Sequence, residues 1–85
     1  MKIFHLNPPS HCDIPDCARP IPRTAGSIFY DARDPGTGMW GNFCPKCAKL
    51  RGLERPGALG IGRGQRYEWS PQDHKFLQTA GGSGK

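Results

Sequence analysis

CDIPDC (Cys12–Cys17) and CPKC (Cys44–Cys47) hold all four cysteines of the chain, spaced Cys12-x4-Cys17-x26-Cys44-x2-Cys47. Two cysteines separated by two to four residues can turn both sulfurs onto one point ~2.3 Å away, and a distant second pair completes a tetrahedron. Four thiolates with no open position describe a closed structural zinc site rather than a catalytic one. Two disulfides, a redox-active CPKC or an iron site are the alternatives. The redox reading is weak because the βαβ context of such motifs is missing.

Length and composition explain why such a staple is needed. The chain has 85 residues, only 35% of them hydrophobic, with 12 glycines and 9 prolines. A chain this short buries too small a share of its surface to be held by apolar contacts alone. The opening MKIFHLNPPSHC turns polar and proline-rich after Leu6, unlike an export signal, and no apolar run approaches membrane-spanning length. The cysteines are therefore expected to stay reduced and to hold metal.

Working outward, SIFYDAR (Ser27–Arg33) and MWGNFC (Met39–Cys44) are rich in aromatic and branched residues, as strands are. DPGTG (Asp34–Gly38) between them is a turn signal, since proline fixes φ and glycine accepts φ > 0. The pair predicts a β-hairpin that delivers Cys44 at its end. Pro45 suits the first position of a helix, KCAKLR contains mostly helix formers, and Gly52 then Pro56 mark the stop. A cysteine-bearing knuckle, a hairpin and a second cysteine pair at a helix start make a small zinc-stabilised α+β fold, a treble-clef-like zinc finger. We expect a single domain over residues 1–69 with its core at 12–53. Trp40 is expected to help close that thin core.

MWGNFCPKCAKLRGL followed by LGIGRGQRYEW resembles the small four-cysteine zinc-finger proteins commonly encoded by bacteriophages. The matching residues are Trp40, Asn42, Cys44, Cys47, Gly60, Gly62, Gly64, Gln65 and Tyr67. The resemblance implies a phage or prophage origin, hence a host cytoplasm, and a zinc site held by the cysteines, but no particular activity. The x4 gap of the first pair and the tail after Trp69 depart from that pattern.

The tail carries its own signals. SPQD (Ser70–Asp73) offers a serine N-cap, a proline at the first helical position and an acid three residues after the cap. A short helix is expected over residues 70–80, docked by Trp69, Phe76 and Leu77, followed by a flexible tail at 81–85.

Charge is uneven. Residues 1–43 are neutral, whereas residues 44–85 carry eight basic and three acidic side chains. Four thiolates and one Zn²⁺ contribute −2, so the metal-loaded chain carries about +3. Lys46, Lys49, Arg51, Arg55, Arg63 and Arg66 surround a glycine-rich loop, which is what a phosphate-backbone binder needs, and Tyr67 can add stacking on unpaired bases. The bland alternative is a solvated surface that keeps a small protein soluble. Catalysis is not expected: His5, His11 and His74 form no spaced pair, and Asp31 and Asp34 flank a turn, where acids usually serve the backbone. His11 beside Cys12 reads as a polar neighbour rather than a ligand. The expected function is a monomeric, non-catalytic protein that binds DNA or RNA. The alternative is an adaptor or inhibitor that grips a host or phage protein through the same charge, with a treble-clef nuclease as the least favoured reading.

Overall fold

A computed structural model describes residues 2–82. Its elements run β1 (Ile28–Arg33), β2 (Trp40–Phe43), α1 (Pro45–Leu50), β3 (Gly64–Ser70) and β4 (Lys75–Ala80). The strands form one antiparallel sheet in the order β2-β1-β3-β4. The result is a small α+β fold, with the expected hairpin and helix inside a larger sheet.

Local chemistry accounts for the first half. In the β1–β2 turn, Asp34 Oδ1 accepts the Gly36 N–H at 2.8 Å, and Gly38 takes φ +76. Helix α1 starts at Pro45 and ends in a Schellman motif. Gly52 sits at φ +73, its N–H bonds Lys49 O, and the Leu53 N–H bonds Ala48 O. That closure turns Leu53 back under the helix, where it is 1% exposed.

Register divides the sheet into two faces. Tyr30 lies opposite Phe43 and Arg66, while Phe29 lies opposite Tyr67, and Trp69 opposite Phe76. The first face packs Tyr30, Ala32 and Phe43 against Ala48, Leu53 and the cysteines. The second carries Phe29, Tyr67, Phe76 and Ile21, with Trp69 against them. Phe29 stacks on Tyr67 at 5.2 Å and meets Phe76 edge-on at 4.9 Å. So the core is not confined to 12–53. A second, aromatic core lies on the opposite face of the same sheet.

The amino-terminal segment covers that second face. It pairs with β4 through His5 N–H to Phe76 O and Gln78 N–H to Ile3 O, at 3.0 and 2.8 Å. The His5 ring meets Phe29 and Tyr67 edge-on.

Two expectations are corrected. Residues 70–80 are not a helix: Ser70–Asp73 make one turn, and Lys75–Ala80 form strand β4. The capping signal itself is real. Ser70 Oγ accepts the Asp73 N–H and donates to Asp73 Oδ2. His74 then takes φ +54, a left-handed conformation that breaks the helix, and the chain pairs back along β3. Two isolated helical turns are marginal, whereas pairing fully buries Phe76. The body of the domain therefore extends to Ala80, past residue 69. Of the expected tail, Gly81 lies against β3, where a Cβ would stand 2.5 Å from Gly64 O, and Ser83–Lys85 lie outside the described residues. Trp40 is the second correction. It is 45% exposed on the edge strand, because its place in the register lies outside both cores.

Gly64, where β3 leaves the glycine-rich loop, has φ +130, and a Cβ there would sit 2.4 Å from Ala32 Cα. Gly62 is also left-handed, at φ +79, but has open space around it. Gly64→Ala is expected to destabilise by about 3 kcal/mol through backbone strain plus overpacking. Gly62→Ala should lose only about 1 kcal/mol. Urea unfolding of the metal-loaded variants measures both, and equal losses would contradict the close approach of β3 to β1.

Candidate metal centre

The four cysteine sulfurs lie within 4.8 Å of one another. Cys17 Sγ and Cys44 Sγ are 3.6 Å apart. A tetrahedron of sulfurs ~2.3 Å from a central zinc has edges of ~3.8 Å, so the cluster fits one tetrahedral ion. Cys12, Cys44 and Cys47 are buried and Cys17 is partly exposed. No disulfide joins them.

Each sulfur is placed by a local device. The first pair sits on a knuckle closed by Cys12 N–H to Arg19 O and a bridge between His11 and Pro20. Within it, the Cys17 and Ala18 N–H groups both bond Ile14 O, and Ala18 takes φ +44. The x4 spacing accommodates this tight turn. Cys44 stands at the end of β2 as the N-cap of α1, and Cys47 lies in the helix's first turn. The knuckle is fastened to β2 by Asp13, whose N–H bonds Asn42 O at 2.9 Å and whose Oδ2 accepts the Asn42 N–H at 2.8 Å.

Electrostatics at the cluster call for a cation. Burial, followed by the neighbouring sulfurs, pushes the Cys47 thiol up to about 12. Burial also raises Cys12, partly offset by the main-chain N–H groups of Cys44 and Ile14. The Arg19 N–H leads in drawing Cys17 down to about 7. Four thiolates in this space repel one another, and a divalent ion removes that penalty. The N–H donors onto sulfur are the outer contacts that orient ligands and stabilise their charge. Among the described residues, this is the only group of three or more His, Cys, Asp or Glu side chains close enough to share an ion.

The basic residues are distributed less simply. Lys46 and Lys49 on α1, Arg55 after it and Arg63 in the glycine-rich loop are exposed. Arg51 is partly buried, its Nε donating to Asp34 Oδ2 at 3.2 Å and its guanidinium lying over the Phe43 ring. Arg66 bonds Glu68 and Thr79 from β3. Tyr67 is not a stacking platform, since it is 5% exposed inside the second core. Burial, then the charge of Asp31, raises its phenol. Alternation along β3 turns Arg66 to one face and Tyr67 to the other, a parity that exists only once that stretch is a strand.

The sequence reading missed His5 and Asp31. Asp34 does serve the turn, but Asp31 is buried in the sheet, and His5 Nε2 lies 2.9 Å from its Oδ2. His5 Nδ1 accepts the Asn7 N–H at 3.2 Å. The Asp31 contact ties the amino-terminal segment to the sheet, and the Asn7 contact lies within that segment. His11 bonds Ser10, and its ring is not in the sulfur cluster. Only the pairing of β4 with Ile3–His5 brings His5 over Asp31, and spacing along the chain carries no trace of it.

No described helix is long and apolar enough to cross a membrane. Comparison of the chain with family models, curated proteins and solved structures finds no match.

Proposed function

We propose that this chain is a non-catalytic, zinc-stabilised, treble-clef-like protein that binds DNA or RNA through the basic surface of α1 and the loops after it. One observation carries the reading. Lys46, Lys49, Arg55 and Arg63 are exposed and, among the described residues, none has a carboxylate within ion-pair distance, whereas Lys2, Arg51 and Arg66 are paired. Unpaired surface cations that replace condensed counterions are the currency of phosphate-backbone binding. Zinc is the natural occupant of four thiolates at tetrahedral spacing. In this reading the protein works as a monomer and, as the resemblance implies, is phage- or prophage-encoded and acts in the host cytoplasm. The adaptor reading is favoured by a different observation: Leu6, Met39, Leu50 and Ile61 are each at least 70% exposed, and exposed apolar side chains anchor protein partners where they join into one patch.

Fluorescence anisotropy with labelled DNA and RNA across a salt series separates the two. Each phosphate contact contributes a slope of roughly 0.7–0.9 in log K against log salt. Replacing Lys46, Lys49, Arg55 and Arg63 together with Ala is expected to flatten the slope by roughly 3 and leave metal content unchanged. Absence of saturable binding to any nucleic acid near physiological salt would remove this reading and favour the adaptor.

A further inference from the structure

A groove of about 480 Å³ opens on the second sheet face, beside the amino-terminal segment. Phe4, Trp69 and Phe76 supply its apolar walls, and Arg23, His74 and Lys75 its polar ones. No carboxylate is among the lining residues. Trp69 is partly exposed there, and its ring contacts, with Phe76 and His74, are edge-on rather than stacked. Lys75 and His74 are exposed, with Lys75 Nζ over the Phe4 ring at 5.2 Å. Arg23 is held in place by three main-chain oxygens, those of Pro8, Pro9 and Ile21, so its charge is fixed at the groove and is not neutralised by an acid.

Aromatic walls, cationic side chains at the rim and no carboxylate in the lining suit a flat π-system attached to a negative charge. Asp73 lies outside the lining, although within reach of the Lys75 charge. We propose that this groove seats an unpaired base of a single-stranded nucleic acid against Trp69, with the adjoining phosphate near Lys75 and His74. The proposal rests on the nucleic-acid reading above and adds to it a preference for single strands. Its site is on the sheet face opposite α1. The groove and the basic surface therefore lie on opposite sides of a body whose shortest extent is 19 Å, and the groove is tested on its own. Sequence selectivity is not expected, because stacking accepts any base.

Trp40 and Trp69 are the only tryptophans, and Trp40 lies outside both cores. In the metal-loaded Trp40→Phe protein, Trp69 is thus the sole indole reporter. Oligothymidylate of ten residues is expected to quench its emission saturably, and a ten-base-pair duplex to leave it unchanged. In the otherwise unaltered chain, Trp69→Leu should weaken binding of the oligothymidylate about tenfold, within the range of base–aromatic stacking, and change duplex binding less than twofold. Lys75→Glu, at an exposed position, provides a second variant with the same expected preference should Trp69→Leu fail to fold. Unchanged Trp69 emission while the oligonucleotide binds by anisotropy overturns the groove and leaves the nucleic-acid reading intact. Equal quenching by the duplex overturns it as well. If neither form of DNA binds, and oligouridylate and a ten-base-pair RNA duplex do not bind either, both readings fall together.

Discussion

Stripping the metal from the zinc-loaded protein with a chelator, under reducing conditions, is expected to unfold it. Three of the eight residues in the first core, namely Cys12, Cys44 and Cys47, belong to the sulfur cluster. Losing the ion therefore removes the centre of that core as well as a crosslink. Structural zinc contributes on the order of 10 kcal/mol in such domains, against a total stability of about 5–15 kcal/mol for an ordinary one. No other feature of a thin, glycine-rich chain offsets a loss of that size. Metal analysis should find about one zinc per chain, as a single four-thiolate site requires. Chelation should collapse the amide dispersion of β1 and β2, and Cys44→Ser should do the same without a chelator. A reduced, metal-free chain that keeps its native spectrum would refute the structural role of the centre.

Phe29→Ala is expected to destabilise the zinc-loaded protein by about 3–5 kcal/mol, the usual loss for a large aromatic in a filled core. Phe29 is fully buried and touches the rings of His5, Tyr67 and Phe76, so its removal leaves the second face without its centre. The sulfur cluster lies on the other face and should survive. Co²⁺ in place of zinc should still give thiolate charge-transfer absorption while the urea midpoint falls. A loss below about 1 kcal/mol would mean that the aromatic face contributes little, since cavities of that size rarely collapse completely.

The contrast between these two cores also explains what could be read from the sequence. Around the metal, the code is local. Cysteine spacing, DPGTG, Pro45 and Gly52 each dictate geometry within a few residues of themselves, and the structure places the hairpin, the helix and the sulfurs accordingly. The second core depends on partners distant in sequence. Phe29 meets Tyr67 across strands, and Phe4 bridges Leu77. Gly64–Ser70 is not assigned as a strand from the sequence, so nothing stands ready for Lys75–Ala80 to pair with, and the real capping signal at Ser70 predicts a helix. Tyr67 is expected to stack on bases and Trp69 to dock a helix, whereas alternating neighbours and the amino-terminal segment bury the first and leave the second at a groove. Ion pairing hid in the same way: Arg51 is the member of the basic set that folds back onto the hairpin turn through Asp34.

The attachment of Asp13 to β2 has a bearing on aggregation. A sheet's outer strands present main-chain groups that can recruit another copy of the chain, and proteins suppress this by covering them. Here one border is covered by Ile3–His5 along β4, the other by Asp13 at Asn42. The second cover is carried on the cysteine knuckle, so it stays in place only while the sulfurs are gathered. In a chain that has lost the ion but not yet unfolded, the β2 border of the sheet would therefore be uncovered next to exposed Trp40 and Met39, so that unfolding passes through a template for self-assembly.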